Sequence, residues 1–168
     1  MKNKRNALKI LLDTTFILPT LGIDAGNEVE ETLRNLRESE AELYYSQFSI
    51  LESLWVAAKI SKSQSFDIER FNQGLRSIIK SSRYIKVKES CKIFEEALKL
   101  YMQGHKDIID NILYATSVNL NLKLLTLDAE LKDFILSQRL KTPSYPLTLN
   151  NLPPPFSAIS NFNKSKRT

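Results

Sequence analysis

The chain has 168 residues, 42% hydrophobic and 26% charged, which is the size and composition of one ordinary globular domain. Four Gly, one Cys and one His exclude a Gly-rich phosphate loop, an intramolecular disulfide, a His-rich zinc site and any mechanism that needs two histidines. The net charge of +5 sits at the ends, because setting aside Lys2, Lys4, Arg5, Lys164, Lys166 and Arg167 leaves 18 basic against 19 acidic side chains.

Residues 7–12 form a compact apolar run that stops at Asp13 and predict a buried strand. Lys9 and Asp13 interrupt this run, so it makes neither a signal peptide nor a spanning helix. With a lone Cys, the chain reads as cytoplasmic, with no membrane segment. Pro19 and Gly22 then mark a loop or short helix. From Asn27, Val29, Leu33 and Leu36 recur at helical spacing, and Glu28, Glu30 and Glu31 suit the positive end of that helix. Residues 42–45 predict a second strand. Ser46 or Ser49 caps the next helix, which carries Ile50, Leu51, Leu54, Val56, Ala57, Ala58 and Ile60 and breaks at 61–65.

A helix over 67–80 has Ile68, Phe71, Leu75, Ile78 and Ile79 as its apolar face. Residues 84–87 alternate and predict a third strand. Helices follow over 88–102, where Cys91, Phe94, Leu98 and Tyr101 are spaced by three or four, and over 106–118. A fourth strand covers 123–126, and a helix runs from Asp128 to about residue 136. Residues 145–149 suit a short last strand. The domain thus ends near 149, and residues 150–168 read as a Pro-containing basic tail.

Strands separated by helices imply an α/β fold with three layers and a central, mostly parallel sheet of four to five strands. Ligands of such sheets bind at the carboxyl ends of the strands. Two strands run straight into an acid there, Leu12-Asp13-Thr14-Thr15 and Leu125-Thr126-Leu127-Asp128. Glu52 interrupts an apolar helical stretch, and Asp110 opens another. Four converging carboxylates repel unless a cation neutralises them or some take up protons. Oxygen-only ligands select hard cations, magnesium or manganese. One or two such ions can activate water and stabilise the leaving oxygen of a phosphodiester.

The blocks Leu12-Asp13-Thr14-Thr15, Ser49-Ile50-Leu51-Glu52, Asp110-Asn111-Ile112-Leu113-Tyr114-Ala115-Thr116 and Leu124-Leu125-Thr126-Leu127-Asp128 resemble the four acidic blocks of PIN-domain ribonucleases, including VapC-type toxins. The resemblance covers about residues 7–149. It implies a PIN-like fold and a magnesium- or manganese-dependent endoribonuclease that cleaves RNA. It also implies a homodimer and a small antitoxin partner. Asp13, Glu52, Asp110 and Asp128 match the catalytic and metal-binding acids, and Thr15 and Thr126 match hydroxyls that order them. The chain departs from the family in three places. Asn111 stands where a small residue is usual, Asp107 competes with Asp110 for the third role, and Asp133 is placed to support Asp128.

Other readings of these residues are plainer. Asp13 suits a turn, Asp128 and Asp107 suit helix caps, and Glu52 suits a solvated helix face. His105 reads as a surface residue, Cys91 as buried packing, and Trp55 with Tyr44 and Tyr45 as core or interface. A non-catalytic RNA- or protein-binding module on the same fold would show a degraded acid set, whereas all four positions here are acidic. A haloacid-dehalogenase-type phosphatase needs an acid where Thr15 stands. A phospho-receiver needs an early acid pair and a late strand-end Lys, and neither is evident.

Overall fold

The run Ile10-Leu11-Leu12 is apolar on both sides because its strand has no solvent face. In the structure, a computed structural model that describes residues 7–63 and 65–140, all three side chains are wholly buried. The described elements are β1 (Lys9–Leu12), α1 (Thr14–Ile17), a 3-10 turn (Leu18–Leu21), α2 (Asn27–Glu38), β2 (Glu42–Tyr45), α3 (Gln47–Ile60), α4 (Ile68–Lys80), β3 (Tyr84–Lys86), α5 (Cys91–Gln103), α6 (Ile108–Leu120), β4 (Lys123–Leu125) and α7 (Ala129–Ser137). The strands form one parallel sheet in the order β3-β2-β1-β4. The strand expected at 145–149, the tail beyond 150 and the basic residues at both ends lie outside the described residues.

The pleat of β1 divides the core. Ile10 and Leu12 join Phe16 and Ile17 of α1, Val29, Leu33 and Leu36 of α2, and Phe71 and Ile78 of α4. Leu11 faces the other layer, with Leu100 of α5, Leu113 and Tyr114 of α6, and Leu131 and Ile135 of α7. A Cβ on Gly74 would lie 2.1 Å from the carbonyl oxygen of Thr20. Helix α4 therefore rests directly on the 3-10 turn, at a distance that only glycine permits. Among the described residues, no helix is long and apolar enough to cross a membrane.

Most elements lie within a few residues of their sequence-based positions. Helix α5 starts at Cys91 instead of 88, with Ser90 at its N-cap. Residues 88–90 stay extended, and Glu89 Oε1 accepts a hydrogen bond from Ser46 Oγ. Helix α6 starts after Asp107, whose side chain caps it. The sequence also misassigns one helix face. The stripe Cys91, Phe94, Leu98 and Tyr101 points outward, Leu98 is 55% exposed, and Cys91 is exposed rather than packed. The inward stripe is Ile93, Ala97 and Leu100, because Ala97 and Ala115 let α5 and α6 approach closely. Helix α3 likewise packs through Ser49, Ser53 and Ala57, leaving Leu51, Leu54 and Trp55 exposed. Trp55 is therefore not a core residue.

Candidate metal centre

The pairing of β1 with β4 sets Leu12 against Leu125. One step further, Asp13 N donates to Leu125 O at 3.1 Å, and the next residue on β4 is Thr126. The first acid therefore meets the hydroxyl of the neighbouring strand end. Thr126 Oγ1 donates to Asp13 Oδ2 at 2.9 Å and accepts from Asp128 N at 3.0 Å. A single buried hydroxyl thus fixes the carboxylate of one strand end and the backbone of the other. Asp13 Oδ1 accepts from Thr14 N, which makes Asp13 the N-cap of α1.

Glu52 sits in the second turn of α3, whose N-cap is Ser46, its Oγ accepting from Phe48 N at 3.1 Å. Ser49, the other candidate cap, is instead a buried residue inside the helix. Helix α3 packs on α1, and Thr14 Oγ1 donates to Glu52 Oε2. The hydroxyl that meets Glu52 is thus that of Thr14, not of Thr15. The sequence missed this because both residues follow the strand and only the turn of α1 decides which one faces α3.

Asp107 and Asp110 are used differently at the start of α6. Asp107 Oδ1 accepts from Ile109 N at 2.9 Å and from Asp110 N at 3.1 Å, so its carboxylate closes the start of α6. Asp110 is turned toward Asp128, one carboxylate oxygen of each lying within 4.8 Å of the other. Asp128 also caps α7, with its Oδ1 accepting from Leu131 N at 2.9 Å. Capping and membership of the cluster are both served by one carboxylate. Asp133 is exposed on α7 and lines an open pocket with His105, Glu130 and Phe134.

His105 is the residue that sequence reasoning placed wrongly. It is only 3% exposed. The structural reason is Asn111, the residue that departs from the family pattern. Asn111 is wholly buried in α6; its Nδ2 donates to His105 O at 2.9 Å, and its Oδ1 lies 2.9 Å from His105 Nδ1. A buried amide that holds both the ring and the backbone of a residue six positions earlier keeps that ring inside. The ring also packs against Phe134. A ring nitrogen of His105 and one carboxylate oxygen each of Asp110 and Asp128 all lie within 4.8 Å of one another.

The electrostatics report how close the acids are. Burial pushes Asp13 up to about 6; the hydrogen bonds from Thr126 and Thr14 pull against this, while the charges of Glu52 and Asp128 add to it. Burial also pushes Asp110 up to about 9, reinforced by its hydrogen bond to Asp128 and by the charges of Asp13, Asp107 and Asp128. Asp128 moves the other way. Burial opposes its ionisation, but the N–H of Leu131, the proton of Asp110, the N–H of Glu130 and the His105 ring together hold it below the usual carboxylate range. Asp110 is thus pushed toward its neutral form while Asp128 beside it is held as the anion. Among the described residues, no Lys or Arg is ion-paired with any of the four acids; the ion pair present joins Lys92 and Glu96 on α5.

The profile of the PIN domain matches residues 10–135. Solved structures share the fold. One is a toxin–antitoxin complex from Klebsiella pneumoniae, at 20% identity and a TM-score of 0.52, covering 80% of this chain and 98% of its own. VapC20 of Mycobacterium tuberculosis, a toxin that cleaves the sarcin–ricin loop, matches at 15% identity and 0.56, over 82% of this chain and 99% of that one. A protein from Pyrobaculum aerophilum matches at 15% identity and 0.61, over 92% and 98%. No curated protein matches by sequence. A parallel sheet with strand-end acids at 13 and 128 and helix acids at 52 and 110, matched by the family profile over three quarters of its length, belongs to the PIN domain family.

Proposed function

We propose that this chain is a metal-dependent endoribonuclease, cleaving RNA phosphodiesters at the cluster of Asp13, Glu52, Asp110 and Asp128, and that it is the toxin of a toxin–antitoxin pair. The observation that carries the reading is the convergence of four carboxylates without a basic partner among the described residues. In a bare site, burial first and the neighbouring acids second push Asp110 up to about 9 and Asp13 up to about 6. Such a donor set fits a hard divalent cation, Mg2+ or Mn2+, which would be held by those four acids. When bound, the ion supplies the charge that neutralises them, lowers the pKa of a water and stabilises the oxygen leaving phosphorus.

The chain's own residues have distinct parts. Thr126 orients Asp13 and spaces it from Asp128. Thr14 holds Glu52 against the rim. Asp107 closes the start of α6, so that Asp110 stands in its first turn, facing Asp128. RNA as substrate and a small antitoxin as partner are supported by the likeness to a toxin–antitoxin complex and to a toxin that cleaves the sarcin–ricin loop. The same proposal includes a homodimer. Leu51, Leu54 and Trp55 of α3 and Phe94, Leu98 and Tyr101 of α5 are the exposed apolar side chains such partners would cover.

The test is incubation of the purified chain with mixed-sequence single-stranded RNA and Mg2+ or Mn2+, with EDTA and Asp110→Asn as controls. Cleavage that requires the metal and is lost in the variant supports the proposal. Intact RNA, together with no metal binding by calorimetry, would sink it and favour a non-catalytic binding module.

A further inference from the structure

We propose that His105 is itself a ligand of this centre, completing with Asp110 and Asp128 a mixed nitrogen–oxygen subsite that favours first-row transition ions such as Mn2+ and Co2+ over Mg2+. The inference rests on the reading of the cluster as a cation site and adds to it a donor that the four acids do not include.

The amide of Asn111 fixes the tautomer of His105. Its Nδ2 donates to the carbonyl oxygen of His105, so the atom that faces the ring is Oδ1. A carbonyl oxygen can only accept, so His105 Nδ1 carries the proton and donates it. In the neutral ring, the lone pair is then on Nε2, the nitrogen left for a cation. Metal-bound imidazoles characteristically donate their other N–H to a carbonyl or carboxylate, which fixes the tautomer and the ring plane. Asn111 provides that partner, and it is wholly buried in the rigid helix α6.

Distance and burial agree with this chemistry. A ring nitrogen of His105 and one carboxylate oxygen each of Asp110 and Asp128 lie within 4.8 Å of one another, a span that one ion can bridge with small side-chain movements. His105 is 3% exposed, and its ring is held between Asn111 and Phe134. A ring so confined is already in position, so little ordering remains to be done on binding. Magnesium prefers oxygen ligands and keeps its waters, whereas imidazole is a good donor to the first-row transition ions. A nitrogen in the set therefore shifts preference away from magnesium.

The single His makes the test clean, because any imidazole signal in a tag-free protein comes from His105. The tag-free chain is loaded with Mn2+, binding is measured by calorimetry, and pulsed electron paramagnetic resonance then reads the nitrogen coupled to the ion. The expected result is a nitrogen modulation that changes to the 15N pattern when the protein contains 15N-histidine. Mn2+ bound without that modulation overturns the inference and leaves the acidic cation site standing. No Mn2+ binding overturns both. His105→Gln is expected to weaken Mn2+ and Co2+ by at least about tenfold and Mg2+ far less. Equal weakening of all three would reduce His105 to a positioning residue. Should the variant fail to fold, the spectrum of the wild-type chain still decides.

Discussion

The two halves of the acidic cluster solve the same electrostatic problem differently. On one side, Asp13 and Glu52 are held by hydroxyls, Thr126 on Asp13 and Thr14 on Glu52. On the other, burial pushes Asp110 up to about 9 while Asp128 is held low, with His105 beside them. Hydroxyl donors stabilise a carboxylate as an anion, whereas a proton kept by a buried carboxyl group removes one charge outright. The first half is thus an anion in waiting, and the second must give up a proton to bind a cation with both oxygens charged. Cation binding at the second half is therefore coupled to pH, and at the first half less so.

Four measurements test this contrast. The largest effect is expected from the acids themselves. Asp13→Asn and Asp110→Asn should each reduce metal-dependent RNA cleavage by at least about 10²–10³-fold, the range seen when one preorganised electrostatic group is lost. Full cleavage by Asp110→Asn would make Asp110 and Asp128 a structural pair only.

The second is the effect of metal removal. With Mg2+ or Mn2+ at a hundredfold excess over Kd, stability should rise by about 2.7 kcal/mol relative to EDTA, which is roughly 5–10 °C in Tm for a chain of this length. No shift in calorimetric melting would contradict a cation site.

The third is the pH dependence in EDTA. The folded chain keeps a proton on Asp110 up to about pH 9 and on Asp13 up to about pH 6, whereas an unfolded Asp loses its proton near 3.8. Folding therefore takes up protons, and stability should fall as pH rises from about 4 to about 9. Asp110→Asn should flatten the upper part of that slope, between about 6 and 9, and leave the lower part to Asp13. A slope unchanged in the variant would mean that Asp110 does not hold the proton.

The smallest effects separate the two hydroxyls. Thr126→Val leaves a buried carboxylate oxygen and the N–H of Asp128 without their partner, at a cost of about 2 kcal/mol. Thr14→Val removes a bond to Glu52, which is half-buried and within reach of water, at a cost of about 1 kcal/mol or less. Denaturant unfolding of both variants ranks them, and the reverse order would show that Glu52 is the better shielded acid.

Much of this architecture is legible in local chemistry. An apolar run that ends in Asp-Thr-Thr reads as a buried strand with an acid at its rim, because period, burial and turn preference act over a few residues. The same holds for residues 124–128, and for the order of the four acids along the chain. The cap at Asp128 was equally readable, since a cap bonds backbone three residues away.

What the sequence could not decide is how each helix is turned toward its neighbours. Helix α5 carries two apolar stripes, and the presence of Ala115 across from Ala97 selected the one that points inward. Asp107 and Asp110 share a helix face, and only the formed cap showed that the first accepts from the backbone N–H groups of Ile109 and Asp110. His105 looked like a surface residue because nothing near it in sequence is a strand or an apolar run. Its burial comes from Asn111 and Phe134, which the packing of α6 and α7 brings to it. Local propensity therefore determined the elements and the four acids. The tertiary fold decided which side chains meet, because rotation of a helix about its axis costs little until a specific neighbour is packed against it.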